Sequence, residues 1–539
     1  MSTLTDPLIA PASSKWSKQK QVGLALLALS VFVVYHHCTS SSLESEQAGS
    51  SDWKYDDPFH HDSKIEKYLR AVQEAVDSGE ILTPSFDIMH SSPLGWKAGL
   101  SIHRPDKVCE DPSLGVKQYS GYLTVNSTEV KSFFFWFIES RNAPLEAPTS
   151  LWFSGGPGAS SMFALVGENG PCLVLAKNDT TAPPVHNPYS WTEASNMLYI
   201  DQPSGTGFSI GTNGVIKSEH EVADDMYLLL ETFLLQFPQY GRKIFLVGES
   251  FGGHYVTAIA HKIVEMNKQI VASGATGEYD PTDKSKKQNV IIPLRGIAIG
   301  NGMTDTLEQL KWYPEMAYNS STAPSIIDKA TYEIMQGKIP KVVQEVRACA
   351  QSDDQNQCTS AFELYSQVLM TPIAATGTNV YDMRLKGIYD FSAMDAYLNN
   401  PDIQAAIGAR KAWQGVNITV WKELAPTDFL HSFQALIPPI LDENIKVLIY
   451  AGDQDYICNW LGVKAWTDKL DWSGHDAYNA APINKWVGGT VRSHKKFAFA
   501  TVANAGHMVP MDQPANSLKL FKALLNDDDF EVPQFNTEL

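Results

Sequence analysis

The segment Gly248–Gly252 has the pattern G-x-S-x-G and directly follows the short apolar run Ile244–Val247. In this pattern the serine lies at a sharp turn between a strand and a helix, and the flanking glycines leave room for that turn. The hydroxyl of Ser250 would then project above the edge of a buried sheet, where it can act as a nucleophile. Such a short pattern also arises by chance, so an ordinary serine in a glycine-rich turn stays an alternative until partners are found.

Two later segments supply an acid and a histidine. The apolar run Val447–Tyr450 leads to Asp453 and Asp455, and His507 lies in a loop after the last strand-like run. Nucleophile, acid and histidine follow one another in this order in the catalytic triad of α/β-hydrolases. Ser250 would attack, His507 would transfer the proton, and Asp455 would orient the imidazole. Asp453 is a competing acid, and His507 is one of 14 histidines, many of which have structural roles.

Ten segments occur in a fixed order along the chain. They are VKQYSGYL (116–123), FFFWFIESRN (133–142), LWFSGGPGASS (151–161), NPYSW (187–191), IDQPSGTGFS (200–209), GESFGGHY (248–255), IGNGMTD (299–305), NVYDMR (379–384), YAGDQDYICNWLG (450–462) and GHMVP (506–510). From about Val116 to the C-terminus the chain therefore resembles serine carboxypeptidases of the vacuolar carboxypeptidase Y type. The resemblance implies an α/β-hydrolase fold, with a central mixed sheet flanked by helices and an inserted, mainly helical cap. It also selects Asp455 over Asp453 and implies release of C-terminal amino acids through an acyl-enzyme on Ser250, with an acidic optimum.

A glycine-rich turn, Ser154–Gly158, follows the strand-like run Leu151–Phe153. Such a turn lets backbone N–H groups converge on one point, as a tetrahedral oxyanion requires. The resemblance implies that the two donors are the N–H groups of Gly156 and Phe251. Loss of one such donor typically lowers the rate by roughly two to three powers of ten.

The resemblance further implies a site for the free α-carboxylate of a peptide, built in this family from Trp, Asn, Gly and two Glu. The matching positions are Trp152, Ser154, Gly155, Glu168 and Glu249. Two adjacent carboxyl groups can share a proton and so donate a hydrogen bond to a carboxylate. Ser154 departs from the family asparagine and offers a shorter hydroxyl, which puts carboxylate affinity in doubt. Ala159 replaces a family cysteine that anchors a disulfide, which puts only local rigidity in doubt.

Four residues near the catalytic segments are expected to line apolar subsites and to favour hydrophobic side chains next to the scissile bond. They are Phe251, Ile457, Cys458 and Met508. The resemblance makes Cys458 a free thiol in the substrate site, and an inert buried thiol is the alternative. The sequence has no H-E-x-x-H motif and its histidines do not cluster with cysteines, so we predict neither a metal site nor a cofactor.

The other cysteines suggest disulfides, although six cysteines allow 15 pairings. Cys349 and Cys358 flank a short polar loop, and we expect them to pair. Cys109 and Cys172 form a plausible second pair.

The N-terminal region contains the apolar run Val22–Tyr35, preceded by three lysines. Its length fits the apolar part of a signal peptide better than a full bilayer span, but retention as a single-pass type II anchor stays open. The lysines would stay cytoplasmic, which places the rest in the lumen of the secretory pathway, vacuole or lysosome, or outside the cell. Four glycosylation sequons, at Asn126, Asn178, Asn319 and Asn417, are compatible with that route. The net charge of −18 argues against nucleic acid as a partner. The resemblance implies peptide or protein C-termini as the partners.

The chain is expected to divide into five stretches. These are a leader with signal peptide or anchor (1–43), a stalk or propeptide-like stretch with a helix at Ser63–Ser78 (44–107), the first part of the hydrolase core (108–306), an inserted cap with helical pieces at Pro340–Ala350 and Ala361–Leu369 (307–425), and the second part of the core (426–539).

Two other functions share these features. A carboxypeptidase-like acyltransferase would pass the acyl group to an alcohol, and Glu168 and Glu249 count against it whereas Ser154 leaves it open. A protective binding partner of other luminal hydrolases would need no catalysis, and a complete triad argues against a purely protective role.

Overall fold

The computed structural model describes residues 88–91, 97–110, 112–126, 130–174, 183–211, 216, 218–273, 290–352, 354–426 and 428–538. The strands are β1 (Ile88–Ser91), β2 (Lys97–His103), β3 (Gln118–Asn126), β4 (Val130–Ile138), β5 (Thr149–Phe153), β6 (Cys172–Leu173), β7 (Val185–His186), β8 (Asn196–Ile200), β9 (Ile210–Gly211), β10 (Ile244–Glu249), β11 (Leu294–Gly300), β12 (Thr378–Asn379), β13 (Asp382–Lys386), β14 (Lys446–Gly452), β15 (Asn484–Trp486), β16 (Gly489–His494) and β17 (Phe497–Val502).

The α-helices are α1 (Met162–Gly167), α2 (Glu219–Gln236), α3 (Gly252–Ala272), α4 (Thr306–Gln309), α5 (Tyr313–Asn319), α6 (Lys329–Ser352), α7 (Gln355–Tyr365), α8 (Thr371–Ala374), α9 (Ser392–Leu398), α10 (Pro401–Ile407), α11 (Ile418–Leu424), α12 (Ile437–Asp442), α13 (Trp460–Lys469), α14 (His475–Ala480), α15 (Val509–Asp512) and α16 (Pro514–Leu525). Short 3₁₀ turns cover Pro112–Leu114, Trp191–Glu193, Pro238–Tyr240, Leu310–Trp312, Asp428–Leu430, Gln434–Leu436 and Val532–Asn536, and a π-helical turn covers Ser366–Met370.

One mixed sheet forms the centre of the fold, with the strand order β1-β2-β3-β4-β8-β5-β10-β11-β14-β17-β16-β15 and with β9 paired to β4. The six strands from β8 to β17 are parallel to one another, and the pairs at both edges are antiparallel. Parallel strands need crossover connections, and the helices in those connections cover both faces of the sheet. The predicted fold class, a central mixed sheet flanked by helices, is confirmed.

The apolar runs that predicted the central strands are buried in this sheet. In β10, the side chains of Ile244, Leu246 and Val247 are fully buried, and so is Phe245 apart from a trace. Because parallel strands end at the same edge of a sheet, the loops after β5, β10, β11, β14 and β17 all lie at one edge.

The sheet begins earlier in the chain than the sequence predicts. We expected a propeptide-like stretch up to residue 107, but β2 pairs with β3 over seven positions, and β1 pairs with β2. Ala98 and Leu100 are buried in this sheet. The strand Lys97–His103 was missed because it alternates small and apolar residues too weakly to stand out, and the boundary between residues 107 and 108 stays a prediction.

A mostly helical segment lies between β11 and β14. It contains α4 to α12 and the two-stranded hairpin of β12 and β13, and the boundaries of a cap at 307 and 425 stay a prediction. The helical piece expected at Pro340–Ala350 is instead part of the single helix α6, with Pro340 inside it. A proline removes one helical hydrogen bond, and burial of Val342, Val346 and Cys349 supports the continuous helix.

Two disulfides are present, Cys109–Cys172 and Cys349–Cys358, and Cys458 is free and buried. Among the described residues, no helix is long and apolar enough to cross a bilayer. The apolar run Val22–Tyr35 and the expected helix at Ser63–Ser78 lie outside the described residues.

Candidate active site

Ser250 occupies the turn between β10 and α3, with a left-handed backbone φ of 63°. The two glycines of the motif are required by close approach. A Cβ on Gly248 would lie 2.5 Å from the carbonyl oxygen of Gly252, and a Cβ on Gly252 would lie 2.6 Å from that of Phe153. The Ser250 carbonyl accepts hydrogen bonds from the N–H groups of Gly253 (3.0 Å) and Met303 (2.8 Å), which hold the turn in place.

The side chains of His507 and Asp455 contact each other near Ser250. The Nδ1 of His507 lies 2.7 Å from Oδ2 of Asp455, and both side chains are buried. The competing acid Asp453 instead accepts hydrogen bonds from the Gln454 side chain and the Asn504 N–H, each at 2.9 Å. The structure thus places Asp455, and not Asp453, on the histidine.

Asn301 contributes to this arrangement, although the sequence analysis assigned it no role. It follows β11 with a left-handed φ of 42°, and its Nδ2 donates to Oδ2 of Asp455 at 2.9 Å. The N–H groups of Ile457 and Cys458 also donate to the Asp455 carboxylate, at 3.1 and 3.3 Å. The only signal in the sequence was the position of Asn301 in the family-like segment IGNGMTD.

The glycine-rich loop after β5 lies directly against the serine turn. A Cβ on Gly155 would lie 2.4 Å from the nitrogen of Phe251 and 2.8 Å from Cβ of Ser250. In the described part of the chain, the N–H groups of Gly156 and Phe251 donate no hydrogen bond to another protein group. Free N–H groups on two adjoining loops are what an oxyanion site needs.

Glu168 and Glu249 form a buried carboxyl pair whose side chains share a hydrogen bond. Burial raises the pKa of Glu168 to about 8, and the nearby charge of Asp512 contributes to the rise. Burial, followed by the neighbouring Glu168, raises the pKa of Glu249 well above its ordinary value. Oε2 of Glu168 has no partner among the described residues, and both glutamates line the same cavity as Ser250.

The two other predicted carboxylate-binding side chains contact each other. Nε1 of Trp152 donates to Oγ of Ser154 at 3.0 Å. Trp152 is fully buried, whereas Ser154 and Gly155 line the cavity, and a role of Trp152 in carboxylate binding stays a prediction. Since the Ser154 oxygen already accepts this bond, its O–H proton is free to be donated into the cavity.

The cavity has a volume of about 420 Å³, which suits a small peptide or drug-sized ligand. The predicted pocket residues Ile457, Cys458 and Met508 line it. Phe251 does not, and its predicted pocket role was wrong, because its ring stacks on His254 with a centroid distance of 4.4 Å. The further apolar and aromatic lining residues are Phe163, Met303, Phe362, Tyr365, Met370, Val380, Tyr381, Ile388, Tyr389, Phe391, Val416, Trp421 and Phe429.

Cys458 lies beside the serine and the acid–histidine pair. Burial, together with the charges of Asp455 and Glu249, raises the pKa of its thiol well above the ordinary value. Polar atoms of Cys458, Asp455 and His507 lie within 4.8 Å of one another, a spacing that could suit a metal ion. A protonated thiol is a poor metal ligand, and Asp455 and His507 bind each other, so this group fits proton transfer better.

Three comparisons place these features among known proteins. Residues 108–527 match the family described as serine carboxypeptidase. The chain is 37% identical over 438 residues to "Carboxypeptidase Y homolog A" of Talaromyces stipitatus, covering 77% of this chain and 74% of that protein. It is 35% identical over 427 residues to "Carboxypeptidase Y" of Candida albicans, with 77% and 74% covered.

A similar fold occurs in the crystal structure of Kex1(Δ)p, a prohormone-processing carboxypeptidase from Saccharomyces cerevisiae. The TM-score is 0.65 at 23% sequence identity, and the match covers 79% of this chain and 96% of that one. At this identity the structural match supports the fold alone.

Proposed function

Because the chain belongs to the serine carboxypeptidase family and is a serine carboxypeptidase, we propose that Ser250, His507 and Asp455 are its catalytic triad. The hydrogen bond between His507 Nδ1 and Asp455 leaves Nε2 of the imidazole to accept the serine proton. Asn301 supports this by fixing the Asp455 carboxylate.

In the proposed reaction, Oγ of Ser250 attacks the carbonyl carbon of the last peptide bond while His507 takes the serine proton. The N–H groups of Gly156 and Phe251 stabilise the oxyanion of the tetrahedral intermediate. His507 then protonates the leaving amine, which departs as the free C-terminal amino acid. Water then attacks the carbonyl carbon of the acyl-enzyme while His507 takes a proton from it. His507 returns this proton to Oγ of Ser250 as the shortened peptide leaves with a new C-terminal carboxylate.

The observation that carries an exopeptidase assignment for this site is the carboxyl pair of Glu168 and Glu249. Both line the cavity that holds Ser250, and the raised pKa values keep protons on the pair at acidic and neutral pH. A protonated carboxyl group can donate a hydrogen bond to a peptide's C-terminal carboxylate without placing a second negative charge beside it. The free O–H of Ser154 supplies another donor in place of the family asparagine.

We also propose a preference for hydrophobic side chains next to the scissile bond. The cavity lining is dominated by aromatic and aliphatic side chains, and Ile457 and Met508 are among them. Burial of apolar side chains here is favourable by roughly 1.5–3 kcal/mol for each large residue. The mainly helical segment between β11 and β14 supplies several of these side chains, which supports its proposed role as a cap.

The test is incubation of the purified protein with N-blocked dipeptides that differ in their side chains. We expect release of the free C-terminal amino acid, with kcat/KM about ten- to a hundredfold higher for leucine or phenylalanine than for aspartate or lysine. C-terminally amidated versions of the same dipeptides serve as controls for carboxylate recognition. Equal rates for apolar and charged side chains would remove the preference, and cleavage only inside longer peptides would remove the exopeptidase role of the glutamates.

For localisation, we propose that the chain enters the secretory pathway and acts in a luminal compartment. The two disulfides support an oxidising environment. Of the sequons, Asn178 and the side chain of Asn126 lie outside the described residues. Asn417 is poorly suited to carry a glycan, because its Nδ2 donates to the Gly205 carbonyl at 3.0 Å and its Oδ1 caps α11. Asn319 is exposed at the end of α5, and its Nδ2 donates to the side chain of Glu315 on the protein surface at 2.8 Å, where a glycan has room, whereas the side chain of Asn417 is tied to the backbone.

Material from the native host is therefore expected to lose mass on glycosidase treatment, and Asn319→Gln is expected to remove one glycan. The measurement is mass spectrometry of wild-type and variant protein before and after treatment. No mass change in the wild type would contradict the luminal route. N-terminal sequencing of the same material distinguishes cleavage of Val22–Tyr35 from its retention as an anchor.

A further inference from the structure

Arg384, in strand β13 of the hairpin between β11 and β14, connects three parts of the chain. Its Nε and Nη2 donate to the two carboxylate oxygens of Asp382, at 2.8 and 2.6 Å. Its Nη1 donates to the carbonyl oxygen of Asn504 at 2.7 Å, and Nη2 also donates to Oδ2 of Asp512 at 2.9 Å. Only a planar guanidinium can satisfy these acceptors together.

The segments that Arg384 connects flank His507. Asn504 precedes the histidine, and Oδ2 of Asp512, which follows it, also accepts the N–H of Gly506 at 2.6 Å. The hairpin itself reaches the histidine, because the His507 N–H donates to the Tyr381 carbonyl at 2.7 Å. The Tyr381 ring packs edge-on against the imidazole, with a centroid distance of 5.0 Å.

The hairpin and the His507 loop pack closely against each other. A Cβ on Gly506 would lie 2.6 Å from the Tyr381 carbonyl oxygen and 2.9 Å from Cβ of Asp382. Asp382 is buried, so its charge depends on Arg384 for compensation. A loop held this tightly can keep an imidazole within the small tolerance that proton transfer requires.

We propose that Arg384 is a positioning residue that fastens the His507 loop to the inserted hairpin from both sides, through Asn504 and Asp512. The proposal rests on the proposed catalytic role of His507. Arg384 does not line the cavity and acts through the loop alone. The inserted segment therefore helps to build the catalytic site in addition to covering it.

The same network has an electrostatic consequence at the carboxyl pair. The negative charge of Asp512 contributes to the raised pKa of both Glu168 and Glu249, and Arg384 opposes the rise in the pKa of Asp512 itself. The charged and titratable groups around the network are Asp382, Arg384, Tyr389, Asp453, Asp455, Glu168, Glu249 and His507. Removal of the Asp512 charge should therefore lower the pKa of both glutamates.

The experiment compares Arg384→Gln, Arg384→Lys and Asp512→Asn with the control Arg492→Gln. Arg492 also forms an ion pair, with Asp468, and lies outside the cavity lining. The first readout is the rate of Ser250 labelling by a fluorophosphonate, which does not need carboxylate recognition. The second is the pH at which KM for a free-carboxylate dipeptide begins to rise.

We expect Arg384→Gln to slow labelling and to lower kcat for a blocked ester about ten- to a hundredfold, with KM for that ester within about threefold of wild type. Arg384→Lys keeps the positive charge but loses the planar guanidinium, so it should also slow labelling. The pH at which KM begins to rise should stay near the wild-type value. Asp512→Asn should also slow labelling, because Asp512 bonds to both Arg384 and Gly506. It should move the pH at which KM begins to rise to a lower value, because the Asp512 charge raises the pKa of both glutamates. Arg492→Gln should change neither readout.

Labelling of folded Arg384→Gln at the rate of the control would overturn the positioning role. If that variant does not fold, Asp512→Asn still tests the proposal, because an unchanged labelling rate there would overturn it equally. An unchanged pH for the onset of the KM rise in Asp512→Asn would overturn the electrostatic part. Labelling that persists in Ser250→Ala would instead refute the proposed triad, whatever Arg384 does.

Discussion

Ser250→Ala is expected to abolish peptidase activity and fluorophosphonate labelling while the protein stays folded. Ser250 occupies the left-handed turn between Gly248 and Gly252, and its removal leaves no nucleophile at the oxyanion site. Triad residues act as a unit, so His507→Ala should lose about as much activity, roughly four to six powers of ten in kcat. Asp455→Asn should lose less, because the serine and the imidazole are still present.

The measurements are steady-state kinetics with a blocked dipeptide and gel detection of the labelled enzyme. Ser517→Ala is a matched control, because Ser517 is also buried, bonds to Nε1 of Trp191 and does not line the cavity. Thermal unfolding of each variant shows whether the fold is retained. Labelling of the Ser250→Ala protein at the wild-type rate would show that another serine is the nucleophile.

Peptidase and esterase activities are expected to have different pH profiles. The Glu168 carboxyl group, with its pKa raised to about 8, must be protonated to donate to a free C-terminal carboxylate. Its neutral form prevails below that pH and is lost as the pH rises through it, so KM for free-carboxylate peptides should rise on the alkaline side. Above this pKa, each further pH unit lowers the protonated fraction of Glu168 about tenfold, which corresponds to about 1.4 kcal/mol of binding free energy. KM for free-carboxylate peptides should therefore rise up to about tenfold for each unit.

Substrates with a blocked C-terminus, such as esters or amides, do not encounter this repulsion and provide the control within the same enzyme. Their KM should stay nearly constant from roughly pH 6 to pH 9, since they bring no charge to the glutamate pair. Glu168→Gln replaces this acid with a neutral donor that does not ionise, and it should flatten the alkaline rise in KM for free-carboxylate peptides. Identical pH profiles for blocked and free substrates would refute the glutamate-pair mechanism and favour an acyl-transfer role.

Much of the fold and the core of the candidate site could be predicted from local patterns. Apolar runs such as Ile244–Val247 predicted the parallel strands, because strands buried on both faces must be continuously hydrophobic. The spacing of Gly248, Ser250 and Gly252 predicted the nucleophile turn, because its backbone geometry depends only on adjacent residues. The weakly patterned strand Lys97–His103 escaped prediction, since its burial comes from pairing with β3.

Contacts between distant residues were decided only by the tertiary structure. Local sequence did not distinguish Asp453 from Asp455, and the fold decides by bringing Asn301 and His507 to one of them. The direction of a side chain likewise depends on its neighbours in space, as the stacking of Phe251 on His254 shows.

The amino-acid sequence by itself therefore determined the continuously apolar strands, the serine turn and the order of the proposed triad residues, because these follow from hydrophobic period and local backbone freedom. The tertiary structure decided which polar groups meet. Glu168 pairs with Glu249, and Arg384 donates hydrogen bonds to Asn504 and Asp512 on either side of His507, although these partners are far apart in the chain. Hydrogen bonds and charge pairs act over a few ångströms in space, so only the folded chain selects them.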